Sequence, residues 1–279
     1  MITIIDLRKK YRDTVALDGL NLHVKAGEFF GYLGPNGAGK TTTVKILTSL
    51  ARPTSGTALI KGFDIVKNPI QAKRHTGVVP QAINLDMELT AWENLQIHGL
   101  LYNMNQAFLK SQADYLLEFV GLNEHRKKLV KNYSGGMKRR LMIARALLHK
   151  PEVIFLDEPT VGLDPTVRRQ LWGLLKKINQ EGATIFLTTH YIEEAENLCD
   201  RVGIIDHGKL IALDTPKSLI ASAGKVVVDV LEDDELTSYF FSTRKEAGDF
   251  VASLDLPATV RSANLEDVFV KLTGRRVKE

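Results

Sequence analysis

Only one cysteine, Cys199, occurs in 279 residues, so no internal disulfide can form and the chain reads as belonging to a reducing, cytosolic compartment. No 18 apolar residues run together, which leaves no candidate membrane-crossing helix. No charged, apolar, small-residue leader opens the sequence, and no repeat or low-complexity segment interrupts it. Long Lys/Arg runs are missing too. The formal charge of +4 is mild and spread out, so nucleic acid is not an expected partner. What remains is an ordinary globular balance, 44% hydrophobic and 25% charged, able to bury a core.

What the chain does have is glycine in one place where it matters. "GPNGAGKTTT", Gly34 to Thr43, fits G-x-x-x-x-G-K-[ST] with Gly34, Gly39, Lys40 and Thr41 in the fixed positions. Glycine backbones let successive N–H groups turn inward as donors for phosphate oxygens, here along Gly34, Pro35, Asn36, Gly37, Ala38, Gly39, Lys40, Thr41 and Thr42. The flanks suit that use: "EFFGYLG" reads as a buried strand, and "KTTTVKILTSL" repeats apolar residues at helical spacing. Lys40 is expected at the β- and γ-phosphates, and Thr41 on Mg²⁺. The helix N-terminus adds favourable charge, and the reading is nucleoside triphosphate binding.

A second site closes the strand in "EVIFLDEPT", where Asp157 and Glu158 follow an apolar run. Successive strand residues point oppositely, so Asp157 is expected to hold Mg²⁺ opposite Thr41 while Glu158 polarises a water for attack on the γ-phosphate. His190 ends "TIFLTTH" in the same way and is expected at the γ-phosphate or the attacking water. Gln81 ends "VVPQ", with a carbonyl for Mg²⁺ or water and an amide for phosphate. It also stands where a helical segment begins, so it could transmit the state of the nucleotide. In "YSGGMKRRLMIARALLHKP", Ser134 is a good N-cap and Gly135 and Gly136 bare the backbone of the first turn. Two glycines there cost about 1 kcal/mol each against alanine, which close approach of a phosphate would explain. Since one chain already holds a phosphate loop, this second receptor implies a γ-phosphate brought by another copy.

The combination resembles the ATP-binding subunit of ABC transporters. "GPNGAGKTT" matches that family's Walker A, Gln81 its Q-loop residue, "YSGGM" its signature, "VIFLDEP" its Walker B, "GLDP" its D-loop and His190 its switch histidine. Tyr133 and Met137 stand where the family's signature has Leu and Gln, whereas Ser134, Gly135 and Gly136 are retained. Tyr11 matches the aromatic that stacks on adenine, a contact of about 1 kcal/mol.

The resemblance implies an α/β fold: a P-loop NTPase core with a parallel sheet, an N-terminal antiparallel β-subdomain, an inserted α-helical subdomain and a small C-terminal appendage. Residues 1–220 are expected to form the ATPase domain, with the helical subdomain at about 84–150, and residues 221–279 the appendage. It further implies ATP and Mg²⁺ as ligands, catalysis by Glu158, His190 and Lys40, and a head-to-tail dimer in which each ATP lies between one chain's phosphate loop and the other's Ser134–Gly136. A separate membrane permease is the expected partner, docked on about residues 84–130, which places the chain on the cytoplasmic face of the cell membrane. "SGGMKRR" and "NLEDVFVKLTGR" resemble the ATPases of two-component exporters of drugs, lipids or polysaccharides. An importer ATPase is the nearest alternative, and a soluble ABC ATPase acting on ribosomes or nucleic acid is the second. A non-hydrolysing nucleotide binder is disfavoured because Glu158 and His190 are both present.

"ITIID" and "LNLHV" read as antiparallel strands, and helices are expected over 90–103 and 105–122. Past residue 150 strands and helices alternate, as in a parallel sheet. "GKVVVDVLEDDELTSYFF" reads as one strand and a polar connection, followed by helices at Arg244–Leu254 and Asn264–Thr273.

Overall fold

A computed structural model describes residues 1–232, 235–254 and 256–274. It opens with a long hairpin, Ile2–Tyr11 (β1) and Thr14–Val24 (β2), whose Ile2, Ile4, Leu7, Leu17, Leu20 and Leu22 all point into one core. Phe29–Leu33 (β3) then runs into the phosphate loop and the helix Lys40–Leu47 (α1). "TALIKGFDI" turns back on itself: Ser55–Ile60 (β4) and Phe63–Asp64 (β5) pair antiparallel, because Lys61 at φ 50° and Gly62 at φ 84° make a tight turn. β1, β2, β4 and β5 form a four-stranded antiparallel sheet. A short helix, Pro69–Arg74 (α2), with no counterpart among the expected elements, leads to Thr76–Val79 (β6).

The middle of the chain is helical, as the 3.6-residue period predicts. Ala91–Leu101 (α3) starts at a capping box in which Thr90 accepts from the Glu93 N–H and Glu93 accepts from the Thr90 N–H. Gln106–Phe119 (α4) is capped by Asn105, and Gly135–Leu147 (α5) by Ser134. α5 belongs to two neighbourhoods. Its Leu141 and Ala144 share a core with Leu95 and Leu116 of α3 and α4, while its end lies so close to β6 that a side chain on Gly77 would fall 2.4 Å from the Ala146 carbonyl.

Val153–Asp157 (β7), Pro165–Gln180 (α6), Thr184–Thr189 (β8), Ile192–Leu198 (α7) and Arg201–Asp206 (β9) supply the expected alternation. Lys209–Asp214 (β10) departs from it and pairs antiparallel with β9. The central sheet has the order β10-β9-β3-β8-β7-β6, parallel except for β10. It is a middle layer, which is why its strands are apolar throughout rather than alternating. Phe29, Leu33, Ile154, Leu156, Ile185 and Leu187 face α5, α6 and α7, whereas Phe30, Tyr32, Phe155 and Phe186 face α1 and the antiparallel sheet.

The C-terminal part carries one strand more than one hairpin requires. Pro216–Ala223 (α8) leads to Val226–Glu232 (β11), and the "ELTSYFF" read as connection is instead a strand, Glu235–Phe241 (β12), paired antiparallel with β11. Its alternation explains this: Ser238 donates to Asp229 on one face while Tyr239 packs with Phe250 on the other. Asp233 and Asp234 of the expected connection lie outside the described residues. Arg244–Ala252 (α9) follows, then Ala258–Ser262 (β13) on the other side of β11, and Leu265–Thr273 (α10). Leu265, Val268 and Phe269 of α10 join the main core, so the C-terminal part is anchored to it.

Candidate functional site

Four loops meet at the carboxyl edge of the central sheet, where open α/β sheets place ligands. The parallel register sets Leu33 beside Thr189 and Asp157 beside Thr188, so β3, β7 and β8 end at one level. β3 continues into the glycine loop, β6 into Gln81, β7 into Glu158 and β8 into His190. A cavity of about 220 Å³ opens here, lined by Pro35, Asn36, Gly37, Gly39, Lys40, Thr41, Thr42, Gln81 and Glu158, with Thr14, Val15 and Ala16 of the β1–β2 hairpin on one side. A larger cleft of about 530 Å³ lies against Tyr115, Phe119 and Ile178, and neither the glycine loop nor Gln81, Ser134, Asp157, Glu158 or His190 lines it.

Glycine is required at two points of the loop. Gly39 has φ 111°, and a side chain on it would meet the Ala16 carbonyl at 2.6 Å. A side chain on Gly34 would fall 2.5 Å from the Ile205 carbonyl. Gly39 also serves as the N-cap of α1 and offers no side-chain acceptor, so the first N–H groups of α1 are available to an anion. Ala38 is buried behind the loop, its carbonyl accepting from the Gly208 N–H.

Lys40 is nearly fully buried, and its ammonium donates to the carbonyls of Gly34 at 2.7 Å and Pro35 at 3.2 Å. It also lies 3.4 Å from Glu158 Oε1. Burial pulls its pKa down, opposed by the nearby Glu158 and Asp157 carboxylates. Glu158 has φ 49°, unusual for a side chain with a Cβ, and its N–H donates to the Thr188 carbonyl at 3.0 Å. That turn aims the carboxylate back over the loop. His190 Nδ1 lies 3.0 Å from Glu158 Oε2, and Gln81 Nε2 donates to the same oxygen at 3.5 Å. Asp157 Oδ1 accepts from Thr188 at 2.6 Å and from Thr41 at 3.4 Å.

Lys40, Thr41, Gln81, Asp157, Glu158 and His190 therefore converge in one place, as their sequence contexts predict. Ser134, Gly135 and Gly136 do not join them within the chain. They form the start of α5, with Ser134 and Gly135 exposed and the Ser134 hydroxyl accepting from the Met137 N–H. Gly136 has an internal reason to lack a side chain, because a Cβ there would stand 2.6 Å from Val167 Cγ1. Gly135 has no such constraint: its nearest neighbour would be Leu163 at 3.7 Å. Tyr133 is buried, and its hydroxyl donates to the His125 carbonyl, so it packs rather than displays. Tyr11 ends β1, is 44% exposed and carries the Lys9 ammonium 4.6 Å above its ring; the cavity itself is lined by Thr14 to Ala16.

Sequence reasoning passes over two side chains that shape the site. Buried Arg139 donates to the carbonyls of Pro80 at 2.8 Å and Gln81 at 3.0 Å, tying α5 to the glutamine loop. Its signal is an arginine one turn before the apolar Met142 and Ile143 of α5. Thr188 fixes Asp157 and leaves no signal beyond being a hydroxyl in an apolar strand.

The residues fit a magnesium nucleotide. Among the described residues no three His, Cys, Asp or Glu side chains cluster to form a protein-built metal cage. One carboxylate with a neighbouring hydroxyl is what Mg²⁺ uses when phosphates and waters complete its octahedron. The profile of the ABC transporter family matches residues 17–161. The chain belongs to this family. It is 43% identical to "Nod factor export ATP-binding protein I" of Cupriavidus metallidurans, over 98% of this chain and 97% of that one. It is 40% identical to the protein of the same name from Ralstonia nicotianae, over 100% and 95%. Among solved structures it is similar to an ATP-binding subunit of an ABC transporter, with 30% identity and TM-score 0.72 over 80% of this chain and 92% of that one. It is also similar to a dimeric ATP-binding cassette in a post-hydrolysis state with ADP and Pi, with 30% identity and TM-score 0.70 over 77% and 98%. The chain is thus an ATP-binding, ATP-hydrolysing component of an ABC transporter, with the α/β cassette fold and with ATP and Mg²⁺ as its ligands.

Proposed function

We propose that this chain powers export through a separate membrane permease, by closing around two ATP molecules as a head-to-tail dimer with a second copy of itself. The convergence of Lys40, Gln81, Asp157, Glu158 and His190 at one sheet edge carries the reading. Export is the process in the names of the relatives, which match this chain over nearly its whole length. Among the described residues no helix is long and apolar enough to cross a membrane.

In this mechanism the N–H groups of Gly37 to Thr41 and the Lys40 ammonium hold the β- and γ-phosphates. Thr41 and Asp157, with Gln81, would hold Mg²⁺, which would supply positive charge against that developing on the phosphates. Glu158 takes the proton of the attacking water, and His190, hydrogen-bonded to that carboxylate, steadies it and reaches the γ-phosphate. Ser134 and Gly135, exposed at a helix N-terminus, meet the γ-phosphate of the second copy. Loss of that phosphate removes contacts belonging to the closed dimer, which opens. The permease docks on residues 84–130, whose α3 displays Ile97, Leu100 and Leu101 to solvent.

Two measurements test this. The purified chain should hydrolyse MgATP, and Glu158→Gln should form an ATP-dependent dimer on size-exclusion chromatography; a variant that stays monomeric at saturating ATP sinks the dimer. Membranes should retain the chain only when a permease is co-expressed, whereas RNA-dependent retention on ribosomes would move it to the soluble class.

A further inference from the structure

Glu194 has no part in the mechanism above, yet its carboxyl is completely buried beside it. A buried, uncompensated carboxylate is costly, so a side chain of this kind needs a reason to be there. It sits in the first turn of α7, four residues after His190, and its backbone N–H donates to the Tyr191 carbonyl. Glu194 Oε1 accepts from Trp172 Nε1 of α6 at 3.0 Å. Burial pushes its pKa up, toward the neutral acid, opposed by the bond from Trp172 and the Arg168 charge, while Oε2 finds no hydrogen-bond partner among the described residues.

The elements joined here come from two directions. On one side, Thr189 ends β8 and His190 follows it, and the Tyr191 ring lies tilted against His190 at 4.3 Å and under Arg168 at 4.1 Å. On the other, α6 begins at Asp164 and its Val167 backs Gly136 at the start of α5. One continuous chain of contacts therefore runs from Gly136 through α6 to the histidine that touches Glu158.

We propose that Glu194 is a positioning residue for ATP hydrolysis: its bond to Trp172 clamps α6, and with it the Ser134–Gly136 turn, to the segment that carries His190. The two half-sites of one chain then move as a unit, so that His190 and Glu158 come into line only when Ser134–Gly136 is also in place. This inference rests on the catalytic roles of Glu158 and His190 proposed above.

The test uses the full chain and steady-state ATPase assays on three variants. Trp172→Phe keeps the ring and removes only the indole N–H; Glu194→Leu removes the acceptor; Glu194→Gln keeps an uncharged acceptor of the same size. The first two should lower kcat about tenfold with KM for ATP changed less than about threefold, because the phosphate loop is untouched. Glu194→Gln should retain kcat within about twofold, and cooperativity in ATP should fall in the two impaired variants. A folded Trp172→Phe protein with wild-type kcat overturns the clamp, as does a Glu194→Gln protein as slow as Glu194→Leu. Glu158→Gln, assayed in parallel, separates the two readings. If it is inactive while Trp172→Phe is normal, only the clamp fails; if it is fully active, the catalytic assignment fails and takes the clamp with it.

Discussion

The Lys40 ammonium and the Glu158 carboxylate lie 3.4 Å apart at side-chain exposures of 5% and 8%. The residue read as phosphate binder and the residue read as base thus form one buried ion pair. Such a pair contributes little net stability, because desolvation of both charges offsets their attraction. On the roles proposed above, a triphosphate entering the loop would compete with Glu158 for Lys40 and leave the carboxylate beside His190, aimed by its own left-handed backbone. Binding and activation of the base are then one exchange of partners.

Removing Lys40 should therefore act on affinity. Lys40→Ala is expected to weaken MgATP binding by at least about tenfold, roughly 1.4 kcal/mol, since a charge-assisted contact to phosphate is lost. Isothermal titration calorimetry measures it, and an unchanged Kd would remove Lys40 from the phosphate site.

Glu158→Gln should act on turnover instead. Glutamine keeps the size and cannot take the proton, so kcat should drop about 10²- to 10⁴-fold while ATP affinity holds. Lys40 would still have the Gly34 and Pro35 carbonyls, so the protein should fold normally. Near-normal turnover means that Glu158 is not the base.

How far the sequence reaches depends on whether a feature repeats or fits a motif. The glycine loop, the Asp157–Glu158 pair and His190 each follow an apolar run, and a parallel sheet brings such ends together automatically. α3 and α4 follow from helical periodicity, and the structure adds their caps, Thr90 and Asn105. β12 is misread because three acidic residues before it resemble a loop, although its own alternation is that of a strand. Arg139, Thr188 and the Glu194–Trp172 bond connect elements far apart in the chain, so no local pattern encodes them. Gly136 is the instructive case, since its bare backbone suits a phosphate and equally makes room for Val167.

That ambiguity can be resolved by a double-mutant cycle. Gly136→Ala forces a methyl against Val167 and should destabilise the protein by about 1–3 kcal/mol, the usual cost of overpacking. Adding Val167→Ala reopens the space and should recover most of the loss, as measured by chemical denaturation. If stability returns in the double variant while ATPase activity does not, Gly136 also serves the nucleotide; no coupling between the two sites would mean that the contact with Val167 is immaterial.

His98 gives the fold an acid sensitivity with a definite sign. Its ring lies 5.0 Å from Tyr102, which stacks on His149 at 3.9 Å, and burial together with Arg145 lowers its pKa to about 4. The unfolded chain takes up the proton near pH 6.5, so it binds protons that the folded state refuses. Stability from this group is therefore complete above pH 6.5 and is lost as the pH falls from 6.5 toward 4. Between pH 7 and pH 5 the loss should be about 1–2 kcal/mol. His98→Phe keeps an aromatic ring against Tyr102 without a titrating nitrogen, so its unfolding free energy should decline less over that interval, by about the same amount. His149, whose Nε2 donates to the Thr76 carbonyl and whose pKa is also lowered by burial, keeps some acid dependence in the variant. Urea unfolding curves at the two pH values decide the matter: equal slopes for wild type and His98→Phe would mean that His98 is protonated as readily in the folded chain as in the unfolded one.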